Sequence, residues 1–388
     1  MQFDWQSIPL SLYIHVPWCE RKCPYCDFNS HQSKGVVDEH EYIQAVINDL
    51  DRDITDFGNI ITDREIHTVF IGGGTPSLFT AESYDFLFCE LRQRLNFNTK
   101  AEITLEANPG SSDACKFKGF REVGINRLSI GVQSFNQQHL IALGRIHSSN
   151  EAIAAAKFAT QAGFDNFNLD LMFGLPSQKL EQALKDLRHA LELRPTHLSC
   201  YQLTIEPNTL FHHRPPVTPS DETLWDMQEA LQEELARARY QHYEVSAYAQ
   251  PHRQCQHNLN YWGFGDYLGI GAGAHGKITT NKDVFRRWKI KHPASYLSKA
   301  SKIGSTDKIK GANITFEFML NALRLNSGFE INHFEQRSGQ RLAQIKPLLD
   351  KHTELGLLEQ ISNRIRPTTF GHNMLNNMLE DYLQIAKA

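Results

Sequence analysis

Apolar residues fall along the first two thirds of the chain in two alternating rhythms. Short continuous apolar runs read as buried strands, and longer stretches that repeat every three to four residues read as helices. The strand runs cover residues 11–16, 67–71, 102–107, 127–132, 166–172 and 198–205. Turn signals close most of them: Gly72-Gly73-Gly74-Thr75-Pro76, Asn108-Pro109-Gly110, Gly174-Leu175-Pro176 and Pro207-Asn208. Helices are expected between them, over 38–56, from Thr80 with its hydroxyl as N-cap and Glu82 in the first turn, and over 151–162 and 179–193. Strands that alternate with helices imply parallel pairing through right-handed crossovers. Six such units predict an α/β fold, a partial (β/α)6 barrel, with its chemistry on the loops that follow the strands.

Beyond the sixth strand the alternation stops. Pro215, Pro216 and Pro219 precede an expected helix over 221–239, and residues 263–276 are rich in glycine. Residues 277–310 hold ten Lys/Arg and two acids, which reads as a solvated connection. From 312 onward helical patterns dominate, interrupted by an expected hairpin over 358–366 around Ser362-Asn363. Three units are therefore expected: the barrel over 1–240, a connecting region over 241–310, and a small, mostly helical, winged-helix-like module over 311–388.

Composition narrows the function. The 388 residues suit two to three domains, and 41% hydrophobic with 22% charged residues excludes disorder or a fibre. Lys+Arg 40 against Asp+Glu 44 gives a net charge of −4, so nucleic acid is not an expected partner. No apolar run reaches membrane-spanning length, and residues 1–9 lack the pattern of a signal peptide, so a cytoplasmic location is expected. Four of the seven cysteines, Cys89, Cys115, Cys200 and Cys255, are scattered, which argues for a reducing compartment.

The other three, Cys19, Cys23 and Cys26, form C-x3-C-x2-C in the loop after the first strand. Thiolates suit iron–sulfur clusters and zinc. Three of them in one short loop wrap three corners of a [4Fe–4S] cubane and leave one iron open. A structural zinc needs a fourth closing ligand, which His31 is near enough to offer.

The spacing, with the aromatic Tyr25 before the last cysteine, resembles the radical S-adenosylmethionine (SAM) superfamily. There the open iron is chelated by SAM, and the loop after the second strand holds the SAM amino group; here that loop reads GGGTP. Tyr13-Ile14-His15-Val16-Pro17-Trp18-Cys19, GGGTP, Gly131-Val132-Gln133-Ser134-Phe135, Leu143-Gly144-Arg145-Ile146-His147 and Asp170-Leu171-Met172-Phe173-Gly174-Leu175-Pro176 resemble the oxygen-independent coproporphyrinogen III oxidase group over nearly the whole chain. Carried over by position, the resemblance makes Tyr13, Gly73, Gly74, Thr75, Glu106, Gln133, Arg145 and Asp170 SAM contacts, with Tyr25 contributing its backbone near the adenine. Read from the residues alone, the glycines fit a plain tight turn and Glu106 a surface ion pair equally well.

Two features separate members of that group. The oxidase carries a further cysteine two residues after the third ligand, where this chain has Phe28, and it has a longer segment ahead of the cluster than the 18 residues here. Both resemble instead the HemW family of haem chaperones, as does Gln254-Cys255-Gln256-His257-Asn258-Leu259-Asn260-Tyr261-Trp262. The resemblance implies haem bound through His257, a common type of axial ligand, with flat faces from Tyr261 and Trp262 and Cys255 as a further soft ligand. The alternative for this segment is packing at a domain junction. The loop Gly269 to Gly276, with His275, would close over a ligand, and the basic stretch would meet haem propionates or an anionic membrane surface.

The resemblance therefore implies a radical SAM protein without coproporphyrinogen oxidase activity. It would pass haem to haem-requiring respiratory proteins, with peripheral membrane contact and a cluster-dependent homodimer as further expectations. The alternatives are the oxidase itself and a zinc-bearing structural protein.

Overall fold

The computed structural model describes residues 3–33, 35–110 and 115–387. The six expected strands are Leu10–Val16 (β1), Glu65–Gly73 (β2), Asn96–Ala107 (β3), Arg127–Gln133 (β4), Phe167–Phe173 (β5) and His197–Gln202 (β6). They lie side by side in chain order, and every neighbouring pair is parallel. Most of their residues are buried on both faces, as parallel strands covered by crossover helices must be. The sixth strand ends at Gln202, short of the expected 205.

Helices Glu39–Phe57 (α1), Ala81–Arg94 (α2), Ser149–Gln161 (α3), Leu180–Glu192 (α4) and Asp221–Arg237 (α5) cover the sheet. Their starts are chemically marked. The Asp38 carboxylate accepts from the Glu41 amide, Thr80 from Ser83, and Ser148 and Glu151 form a reciprocal capping box.

The segment expected to be a solvated connection is not one. After the hairpin Gln241–Glu244 (β7) and Ala247–Ala249 (β8) and the helix Gln256–Trp262 (α6), the chain adds Asp266–Ile270 (β9), His275–Thr279 (β10), Val284–Lys289 (β11) and Ile303–Ile309 (β12) to the same sheet. The order is β12-β11-β10-β9-β1-β2-β3-β4-β5-β6-β8-β7, with β9 parallel to β1. The sheet stays open, since edge strands β12 and β7 do not pair with each other.

Several cations of 277–310 misled because they are paired within the fold, two of them with acids on α1 that lie 234 and 240 residues away. Lys289 reaches Asp49 at 2.5 Å and Asp53 at 2.7 Å on α1. Arg287 reaches Asp53 and Asp56 at 2.7 and 2.9 Å, and Arg286 reaches Glu317 at 2.6 Å. Lys302 donates to the carbonyls of Tyr296, Leu297 and Lys299. Lys277 is buried against Asp266 at 2.8 Å. These contacts hold the strands to α1 and to one another.

Asp266 is the densest of these centres. Its carboxylate also accepts from Arg64 Nη1 at 2.9 Å and from the Thr279 amide and hydroxyl, both at 2.8 Å. Burial works against the charged form, but Lys277 and Arg64 outweigh it and hold the pKa below the ordinary carboxylate value.

The C-terminal region has its own core, with Phe318, Phe329, Phe334, Leu349, Ile365 and Tyr382 buried together. Helices Ala312–Ala322, Ile331–Ser338, Lys346–Glu354 and Leu375–Lys387 surround a hairpin, Leu358–Ile361 and Arg364–Pro367, whose turn residue Ser362 has a φ of 54°. The hairpin pairs with Phe329–Glu330 to make a three-stranded sheet.

Removing one member of a buried charge group leaves the others uncompensated. Asp266→Ala is expected to lower unfolding stability by about 3–5 kcal/mol in urea titrations. Lys346→Ala, at an exposed i,i+4 pair with Asp350, should change it by about 0.5 kcal/mol or less.

Candidate functional site

The cysteine loop is closed by a short parallel ladder in which Trp18 pairs with His31 and Cys19 with Gln32. Cys19 is buried, while Cys23 and Cys26 are half-buried. Burial pushes the Cys19 and Cys26 thiols above their ordinary pKa, opposed by the Ser30 hydroxyl. Such thiols ionise readily only beside a cation, which a metal centre supplies. His31 does not complete a zinc site with them: its ring meets Asn29 Oδ1 at 3.3 Å and stands edge-on to His292 at 5.5 Å.

The loop is anchored by the segments that follow β9 and β11. Asn29 Nδ2 donates to the carbonyls of Ala272 and Lys291, both at 2.9 Å. Gly273, at φ +84°, lies so close that a Cβ there would fall 2.1 Å from that nitrogen. The glycine-rich loop is therefore already seated against the cysteine loop.

An inner cavity of about 340 Å³ opens at the C-terminal ends of the barrel strands. It is lined by Cys19, Cys23, Tyr25 and Cys26, by Gly73, Gly74 and Thr75, and by Glu106, Gln133, Arg145 and Asp170. Eleven of the thirteen sequence-predicted site residues thus meet around one space. Gly74 is sterically required, since a Cβ there would lie 2.4 Å from the Trp18 carbonyl oxygen. Gln133 holds a φ of 68°, a strained conformation for a residue with a side chain.

Polar side chains around this cavity are fixed in a chain. Asn108 Nδ2 donates to Thr75 Oγ1 at 3.0 Å, and Asn108 Oδ1 accepts from Arg145 Nη2 at 2.9 Å. Arg145 also donates to the Gly131 carbonyl at 2.8 Å and lies 3.8 Å from Cys23 Sγ. Its buried Nε has no hydrogen-bond partner among the described residues. Asp170 accepts from Ser129 at 3.2 Å and Asn168 at 2.8 Å. Glu106 accepts from the Gly73 amide at 3.0 Å. Burial and then the nearby Asp170 charge push the Glu106 pKa up to about 7, against that amide bond. A cation with hydroxyl and carboxylate groups, as SAM is, fits this set: two crowded carboxylates, one unsatisfied guanidinium donor and a glycine cradle.

An outer cavity of about 920 Å³ adjoins the inner one and shares Cys26, Gly73 and Glu106 with it. Tyr13 and His257 line this outer space, with Tyr261, Tyr267, His275 and Lys291. Tyr13 does not reach the inner cavity. Its hydroxyl donates to His15 Nδ1 at 3.0 Å, because His15 gives its Nε2 proton to the Asn29 carbonyl at 2.9 Å. His257, 6% exposed, sits beside Phe70 and Tyr13 with Nδ1 2.9 Å from the Thr68 hydroxyl. Burial and the Arg127 charge push its pKa down to about 3, so the imidazole is neutral.

Two neighbours of His257 take other roles. Trp262 packs under the Arg324 guanidinium at 4.3 Å and against the cluster of Tyr243 and Leu325, so it serves a junction with the C-terminal region. Cys255 is fully buried, 3.6 Å from Glu102 Oε1, and burial pushes its thiol up to about 12. It lies behind the cavity wall. Sequence reasoning missed Asn108, Arg127, Ser129, Asn168 and Thr68 as site-forming residues. Asn108 stood in a turn signal, and the others sit inside strand runs where they read as ordinary strand positions.

The parallel barrel with a three-cysteine loop after its first strand is the arrangement of the radical SAM superfamily, whose model matches residues 13–190. A second model, the HemN C-terminal domain, matches residues 311–371. The chain is 47% identical over 376 residues to the heme chaperone HemW of Haemophilus influenzae, covering 97% of this chain and 98% of that one. It is 49% identical over 381 residues to the heme chaperone HemW of Escherichia coli, with the same coverage. It therefore belongs to the HemW family. The solved structure of coproporphyrinogen III oxidase (HemN) from Escherichia coli, a radical SAM enzyme, superposes with a TM-score of 0.80 at 23% identity, covering 97% of this chain and 90% of that one, and shares its fold. Membership in the superfamily implies a [4Fe–4S] cluster and SAM.

The crowded carboxylates make a spectroscopic prediction. An infrared carboxyl band removed by Glu106→Gln should titrate near pH 7, and Asp170→Asn should move that titration lower by removing the repelling charge. Because Glu106 keeps its proton in the folded chain above the ordinary carboxylate value, its contribution to stability is full below that value. It is lost as pH rises from there to about 7.

Proposed function

We propose that this chain is a haem chaperone of the radical SAM type. It would hold a [4Fe–4S] cluster through Cys19, Cys23 and Cys26 and SAM in the inner cavity, and carry haem in the outer one. One observation carries the reading: a neutral, buried imidazole, His257, walls a cavity large enough for a tetrapyrrole and contiguous with the cysteine loop. The two HemW relatives are named as heme chaperones, which supports it.

Each residue has a physical task in this reading. Arg145, with its open Nε and its place beside Cys23, pairs the SAM carboxylate and offsets thiolate charge. Glu106 and Asp170 favour the positive end of SAM and accept from its hydroxyls. Gly73, Gly74 and Thr75 bring backbone close to it, with Gln133 at the end of β4 and Tyr25 beside the cysteines. A reduced cluster, when present, supplies an electron to SAM. His257 offers an axial nitrogen to haem iron. The acceptors are haem-requiring respiratory proteins, met in the cytoplasm or at a peripheral membrane contact, and a cluster-dependent homodimer is the assembled form.

Phe28 weighs against the oxidase alternative. It stands 62% exposed on the wall of both cavities, where the oxidase resemblance calls for a cysteine.

Anaerobic reconstitution tests the proposal. Iron and acid-labile sulfide should bind together with a broad visible absorption that Cys19→Ala abolishes. Zinc without sulfide would remove the radical SAM part. Haem should bind the full chain, His257→Ala should erase the histidine-ligated spectrum, and coproporphyrinogen III should remain undecarboxylated. Turnover of coproporphyrinogen III would establish the oxidase instead.

A further inference from the structure

Two hydrogen-bond paths behind His257 meet at Ser11 Oγ. The carbonyl of Asp266 can only accept, so the Asn260 atom 2.9 Å from it is the amide nitrogen. The same nitrogen donates to Ser11 Oγ at 2.8 Å. The Thr68 hydroxyl donates to Ser11 Oγ at 2.7 Å. A hydroxyl has one proton. With that proton given to Ser11, Thr68 Oγ1 can only accept from His257 Nδ1, 2.9 Å away.

We infer that Thr68, oriented by Ser11 and Asn260, fixes His257 as its Nδ1–H tautomer, so that Nε2 alone is available to ligate haem iron in the outer cavity. Nε2 has no hydrogen-bond partner among the described residues, and the ring lines that cavity. Thr68 and Ser11 are buried on adjacent parallel strands, where the β1–β2 register pairs Ser11 with Thr68 directly. The His257 amide is tied separately to Glu102 Oε1 at 3.2 Å, so the backbone and the ring are held by different strands. Thr68 touches no ligand itself. It is a positioning residue, of the kind in which a ligating histidine's second nitrogen is committed to a protein acceptor.

The inference rests on the haem reading above, and the experiment separates the two. Haem is titrated into the full-length chain, and the iron–histidine stretching frequency of the ferrous adduct is read by resonance Raman. Thr68→Val keeps the shape and removes the acceptor; it should weaken haem binding on the order of 10–100-fold and lower the stretching frequency. Thr68→Ser should restore both. Ser11→Ala removes the acceptor that orients Thr68 without enlarging a side chain, and should shift both readouts in the same direction as Thr68→Val. Ser11→Ala decides the matter if Thr68→Val does not fold. Wild-type affinity and frequency in folded Thr68→Val or in Ser11→Ala, with haem lost in His257→Ala, would overturn the inference. Undiminished haem binding in His257→Ala would overturn the haem assignment itself.

Discussion

A single buried carboxylate organises the sheet around which everything else is arranged. Asp266 gathers Arg64 from the approach to β2, Lys277 from β10 and Thr279 from the same strand. Arg64, 202 residues away, must join the neighbouring β9 and β10 before that charge is tolerable, since a desolvated ion is stable only with its full set of partners. The strand that bears it, β9, lies beside β1 as a seventh parallel strand. Its far end leads into the glycine loop that supports the cysteines, and its backbone carbonyl orients Asn260 under His257.

The two cavities divide the electrostatic work. The inner one holds Asp170 and three arginines, while the outer one adds four imidazoles, three tyrosines and two lysines to the carboxylates they share. They meet at Glu106, Gly73 and Cys26. Glu106 is a titratable part of that shared wall, and its pKa near neutrality follows from burial beside Asp170. A cationic ligand on the inner side would favour the charged carboxylate, and the field on the outer side would change with it.

Most of the barrel was legible because parallel strands covered on both faces leave unbroken apolar runs, and because glycine and proline mark where they stop. Glu106, Gln133 and Asp170 were placed by the family resemblance that the cysteine spacing opened, and the structure brings them to one cavity. Three things were hidden. The strands of 266–309 carry Arg287 and Lys289, whose partners on α1 lie 234 and 240 residues away, so local charge counting read them as solvated. Tyr13 was placed with the inner residues by motif, but its commitment to His15 holds it on the outer wall. Trp262 looked like a ligand face, yet a tertiary contact with Arg324 gives it a packing role.

The anchoring of Asn29 sets an order of events during synthesis. The cysteine loop is translated before its two clamps, which come from Ala272 and Lys291, 243 and 262 residues later. Strand β1 likewise waits for β9 to complete its second edge. The loop is therefore clamped only after most of the barrel has been translated. Contacts this distant in sequence close slowly. Until then the cysteine loop lacks the contacts that seat it against the glycine-rich loop.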